Sequence, residues 1–146
     1  MTDYDHDFYA WTKEQAALIR TSKDGKLDRH NISKEIEFSG QLRERQCFSW
    51  FISLIASLLH IKFSRPSPEA EGKLEWIKSD IKLERLEVLS CISESPSLKK
   101  SLEKNFKESY VSATLREPGV LMLSEDYPRH CPFSLEQILD ENFFAE

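Results

Sequence analysis

Apolar residues recur at intervals of three and four from the N-terminus to about residue 117, and no stretch before residue 118 alternates convincingly as a half-buried strand would. Asp3 stands as the N-cap of a first helix, with Asp5 and Asp7 in its first turn, where carboxylates favour the helix dipole. Its stripe runs Tyr4, Phe8, Trp11 and Leu18, interrupted by Gln15. Asp24-Gly25 centres a turn, and Asp28 caps a second helix that buries Ile32, Ile36 and Ser39. Gly40 marks a break or a kink before a third segment, residues 41–63.

Ser67-Pro68-Glu69 supplies cap, first-turn proline and early carboxylate for a fourth helix carrying Leu74, Ile77, Ile81, Leu86, Leu89 and Ile92. Ser95-Pro96 repeats that device for a fifth helix, whose stripe is Leu98, Leu102, Phe106, Tyr110 and Ala113, and Pro118-Gly119 ends it. The character then changes. "VLMLSEDYP" reads as an extended apolar run and "SLEQILDENFF" as a short closing helix. The expected fold is all-α: a single bundle-like domain over 1–146, with about five helices in 1–117 and an irregular C-terminal arm over 118–146.

Composition narrows the function classes. At 146 residues and 40% hydrophobic, the chain suits one packed domain, and only four glycines argue against an all-β fold. A net charge of −5 gives no footprint for phosphate backbones, so no nucleic-acid partner is expected. Cys47, Cys91 and Cys131 are scattered and odd in number, which reads as reduced thiols of a cytoplasmic protein. The acidic start "MTDYDHDFYAW" is unlike a basic signal segment. "QCFSWFISLIASLLHI" runs sixteen residues without a formal charge if His60 is neutral. A spanning helix needs about twenty, and this one carries three serines, so a buried central helix is expected and no membrane.

Several clusters contain chemistry-bearing residue types. Asp3, Asp5, His6 and Asp7 are metal-ligand types, but consecutive helical residues diverge around the axis, and dipole complementarity accounts for the acids. No Glu-x-x-His step occurs, which argues against a carboxylate-bridged dimetal centre. Glu35 and Glu37 are expected to pair with Arg43, Arg45 or other cations. The most unusual feature is a polar seam of Ser49, Ser53, Ser57 and His60, within about 80° on an otherwise apolar helix. Close packing, with hydroxyls bonded back to the preceding turn, is weighed ahead of a pocket that uses His60 as a titratable group. No cofactor is expected.

Aromatics gather near both ends, with Tyr4, Phe8, Tyr9 and Trp11 at one and Tyr127, Phe133, Phe143 and Phe144 at the other. The expectation is that the termini cover one another and leave part of this cluster exposed, with Tyr9, Trp11 and Phe133 as interaction candidates. His130-Cys131 suggests a nucleophile and its base, yet adjacent residues seldom point the right way. Ser134 and Gln137 have capping-box spacing, with Phe133 and Ile138 at the staple positions, so the segment reads as a stiff helix start with Cys131 turned inward.

The stretches "DFYAWTKEQAALIR", "LDRHNISKEIE", "SPSLKKSLE" and "CPFSLEQILD", in this order and spacing, resemble the domain-of-unknown-function family numbered twenty-nine. The resemblance covers most of the chain. It implies a bacterial helical protein and no established activity. The function expected is that of a non-enzymatic cytoplasmic interaction or regulatory protein, with a protein partner or self-association. One alternative is an enzyme or small-ligand binder built on the His60 seam with Glu35 or Glu37 as its carboxylate. The second is a nucleic-acid-associated regulator.

Overall fold

The computed structural model describes residues 5–21, 29–63, 68–116 and 127–146. Among these residues six helices and no strand occur: α1 (Phe8–Thr21), α2 (Arg29–Phe63), α3 (Pro68–Glu94), α4 (Ser97–Lys104), α5 (Phe106–Leu115) and α6 (Leu135–Leu139). Asp3, Asp28, the turn at Asp24-Gly25 and the apolar run after Pro118 lie outside the described residues.

α2 is the axis of the molecule, with α1, α3 and α5 packed along it. It is one helix of 35 residues, and Gly40 does not break it. Gly40 is instead the point where α1 crosses: a Cβ there would stand 2.2 Å from Thr12 Oγ1. Small residues line both sides of this crossing, with Thr12 and Ala16 on α1 and Ser33 and Gly40 on α2 all buried. Ser33, Gly40, Cys47 and Leu54 follow at seven-residue intervals, the spacing that keeps one side of a helix against a neighbour. The expected faces are therefore displaced. Ile32, Ser39 and Leu18 are exposed, because close approach of the two backbones, rather than bulk, selects the buried positions.

The second half of α2 contributes Phe51, Leu54, Ile55, Leu58 and Leu59 to the core, each fully buried. By length and composition α2 could cross a membrane; here these residues pack with Ile81 and Val88 of α3, Leu98 and Leu102 of α4, and Tyr110 of α5. α3 turns a different side inward than expected: Ile81, Glu84, Arg85, Val88 and Cys91 are buried, while Leu86 and Leu89 are exposed. The expected fifth helix is two, α4 and α5, separated at Asn105, whose side-chain amide donates to Ser101 O at 2.9 Å. Its stripe survives the break, with Leu98, Leu102, Tyr110 and Ala113 all buried.

The C-terminal segment closes the other end. Tyr110 Oη donates to Pro128 O at 2.6 Å, and Tyr127 meets Phe63 edge-on at 5.8 Å. α6 begins with the expected capping box: Gln137 N donates to Ser134 Oγ and Ser134 N to Gln137 Oε1, at 3.2 and 2.9 Å. Phe133 and Ile138 are both in the core. Arg85, only 2% exposed, ties the segment down. Its guanidinium donates to Ile138 O (2.8 Å), Glu141 O (3.3 Å) and Phe143 O (2.6 Å), and lies over the Phe144 ring. Among the described residues the two ends of the chain do not cover one another. Tyr9 is bonded to Glu44 and Phe133 sits by Lys62, positions separated by roughly 27 Å of α2 at 1.5 Å per residue.

Candidate functional site

On the seam of α2 the hydroxyls of Ser53 and Ser57 reach across to Glu84 of α3, whereas that of exposed Ser49 meets Arg116, just after α5. Ser53 Oγ donates to Glu84 Oε1, and Ser57 acts on the same carboxyl. Glu84 is 7% exposed, and Oε2 has no hydrogen-bond partner. Burial raises its pKa above the ordinary 4.5; the two serines and Arg116 oppose that shift, and Asp80 adds to it. Arg116 closes one end of the seam, donating to Ser49 O at 3.1 Å. His60, half-buried at the other end, has its pKa lowered by burial and then by nearby Lys73.

The carboxylate of the seam is thus Glu84, not Glu35 or Glu37. Those two lie about 18 Å or more up the helix from Ser49. Glu37 pairs with Arg20 of α1, which holds its carboxyl below the ordinary value; Glu35 is on the surface. Arg43 pairs with Glu94 of α3 rather than with either of them. A signal for Glu84 and Arg85 was present in "IKLERLEVLSC". From Ile77 and Ile81 a helical stripe continues through 84 and 85 to Val88 and Cys91, whereas a step from 81 to Leu86 leaves the face.

A second polar cluster joins three helices, α1, α2 and α4. Tyr9 Oη (2.8 Å) and Ser101 Oγ (3.0 Å) both donate to Glu44 Oε1. Burial and the adjacent Glu44 carboxylate push the Tyr9 phenol up to about 12. Glu44 also lines an open groove of about 480 Å³ with Phe48, Ile52, Asn105 and Glu108. A smaller groove of about 360 Å³ lies between α3 and the turn after α6, by Lys82, Leu86 and Glu141. Neither groove is lined by Ser53, Ser57 or His60.

The remaining candidates have structural partners. Asp7 is buried and serves two helix starts at once. Its Oδ1 accepts from Ala10 N (3.0 Å) and Ser97 Oγ (2.8 Å), and its Oδ2 from Ser97 N (2.8 Å). Ser95, expected to cap its own helix, instead accepts Tyr9 N at 3.3 Å. Asp5 and His6 are exposed, and no group of three or more metal-ligand types converges among the described residues. Cys47 and Cys91 meet across α2 and α3 as free thiols; burial, then Cys91, pushes Cys47 up to about 12. Cys131 is half-buried, and burial raises its pKa too, the reverse of an activated nucleophile.

Of the interaction candidates, Phe133 is buried, Tyr9 is occupied with Glu44, and Trp11 stacks on Phe8 at 6.0 Å. The outer face of α3 exposes Trp76 (76%), Leu86 (64%) and Leu83 (51%) together, and among the described residues Leu115 of α5 (69%) is the other large apolar side chain more than half exposed.

Comparison with known proteins agrees with this architecture. A family model described as a domain of unknown function, DUF29, matches residues 4–144. No curated protein matches the chain. The crystal structure of an alpha-helical protein of unknown function from Rhodospirillum rubrum superposes with a TM-score of 0.67 at 18% identity, covering 98% of this chain and 92% of that one. This likeness establishes a shared fold.

Proposed function

From a chain that belongs to the DUF29 family, a family described without an activity, we infer a cytoplasmic, non-enzymatic protein-interaction module whose contact surface is the outer face of α3. The observation that carries this reading is the exposure of Trp76 beside Leu83 and Leu86 on one helix. Large apolar side chains left together in water favour association, and tryptophan is enriched where interfaces concentrate their binding energy. Further support comes from the interior, where Asp7, Glu44, Glu84 and Arg85 are each engaged in ties between elements. The three free thiols fit a reducing compartment, and the net charge of −5 disfavours a nucleic-acid partner.

Hydroxyl-radical footprinting in intact cells, set against dilute purified protein, tests the reading with the other tryptophans as internal standards. Trp76 is expected to be protected in cells relative to Trp11 and Trp50, which are partly buried in the chain itself. Equal oxidation of Trp76 in both settings overturns the reading.

A further inference from the structure

The outer face of α3 has a self-complementary pattern. Gly72, Trp76, Ser79, Leu83, Leu86 and Ser90 lie within about 80° at 100° per residue, and each of them is exposed. A Cβ at Gly72 would meet nothing within 4 Å, so the helix surface there is open. The Ser79 hydroxyl is already satisfied, donating to Glu75 O at 2.9 Å, and can enter an apolar contact without losing a hydrogen bond. Exposed Glu75 and Lys82 flank this face on one side.

We propose that the occupant of this face is α3 of a second copy of the chain, packed antiparallel about a two-fold axis at Ser79; this rests on the interaction reading above. Under that symmetry a residue n positions before Ser79 faces the residue n positions after it in the other copy. Gly72 then lies opposite the partner's Leu86, a small residue against a large one. Trp76 falls within one position of the partner's Leu83, and Ser79 meets its own equivalent where the backbones come closest. Glu75 falls within one position of the partner's Lys82, and the contact recurs across the axis. A hydrophobic centre with opposite charges at its rim results from one helix and its own copy.

Sedimentation velocity of the purified full chain, from low micromolar to several hundred micromolar, tests the pairing. The mass is expected to rise from 17.1 kDa towards twice that value. Trp76→Glu should weaken association at least about tenfold with an unchanged helical spectrum. Lys82→Glu alone should weaken it about threefold, and Glu75→Lys with Lys82→Glu should restore it, because the swapped charges again face each other. In a Cys131→Ser background, a short bis-maleimide should join Ser79→Cys chains. It should not join Ser90→Cys chains, whose thiols would sit roughly 33 Å apart. A monomer at every concentration, or equal cross-linking at both positions, overturns the proposal. Protection of Trp76 in cells together with a purified monomer would retain the interaction surface and assign it to a different protein.

Discussion

Asp7 accepts the backbone amide of Ser97 at 2.8 Å, and the two residues stand 90 positions apart. The start of α4 is therefore capped by a carboxylate from the residue preceding α1, while Ser95 returns a hydroxyl oxygen to Tyr9 N. Two helix N-termini share their capping groups, and the favourable interaction of a carboxylate with both dipoles fixes how α1 docks. Asp7→Ala should lower the unfolding free energy by about 2 kcal/mol. A double-mutant cycle with Ser97→Ala should show coupling of at least about 0.5 kcal/mol, since each side chain loses the same partner. Strict additivity in urea unfolding would show that the shared cap contributes nothing.

Gly40 tests the close approach of α1 and α2. Alanine is the better helix former by about 1 kcal/mol, so on propensity alone Gly40→Ala stabilises. The added Cβ would however lie 2.2 Å from Thr12 Oγ1, and that hydroxyl is held by a 2.8 Å bond to Tyr9 O. The clash should win, with a net loss of about 1–3 kcal/mol. Thr12→Ala in the same chain should recover most of the loss, and a failure to recover any of it would place the strain elsewhere.

The sign of the Glu84 effect follows from its raised pKa. The folded state binds the proton more tightly than the unfolded chain does. Stability from this group is fully present below the unfolded carboxyl range, near pH 4, and is lost as pH rises through the folded value. Glu84→Gln keeps the shape and removes the titration. The variant should be about 1 kcal/mol more stable than the natural chain at pH 7 to 8, and the difference should close on acidification towards pH 4. A variant less stable than the natural chain at every pH would mean that the ionised carboxylate is stabilising there.

Arg85 should control the C-terminal segment separately from the bundle. Arg85→Met leaves the carbonyls of Ile138, Glu141 and Phe143 without their charged donor. A stability loss of about 3 kcal/mol is expected, together with faster amide exchange over residues 135–146. Exchange that speeds up equally in α1 would instead indicate general loosening.

Much of the fold was legible in the sequence. The stripe from Leu98 to Ala113 and the box at Ser134 and Gln137 depend on neighbours within one or two helical turns, and such patterns survive in a one-dimensional reading. The polar seam of Ser49, Ser53, Ser57 and His60 was legible from helical spacing alone. Its carboxylate was not, because Glu84 reaches Ser53 through the packing of α2 on α3, a relation across 31 positions. The faces of α1 and of the first half of α2 were misjudged for a related reason: where helices approach at a glycine, Thr12 and Ser33 are buried and Leu18 and Ile32 are not. On α3 the stripe at helical spacing took in Leu86 and Leu89, which are exposed, because apolar character alone does not say which side of a helix has a neighbour.

The central claim is that contacts outside this chain are made through the outer face of α3. The most direct measurement is site-specific photo-cross-linking in living cells, with the reactive residue placed at Trp76 in one strain and at exposed Lys100 of α4 in another. A discrete adduct is expected from position 76 and none from position 100. An adduct from position 100 with nothing at position 76 would contradict it.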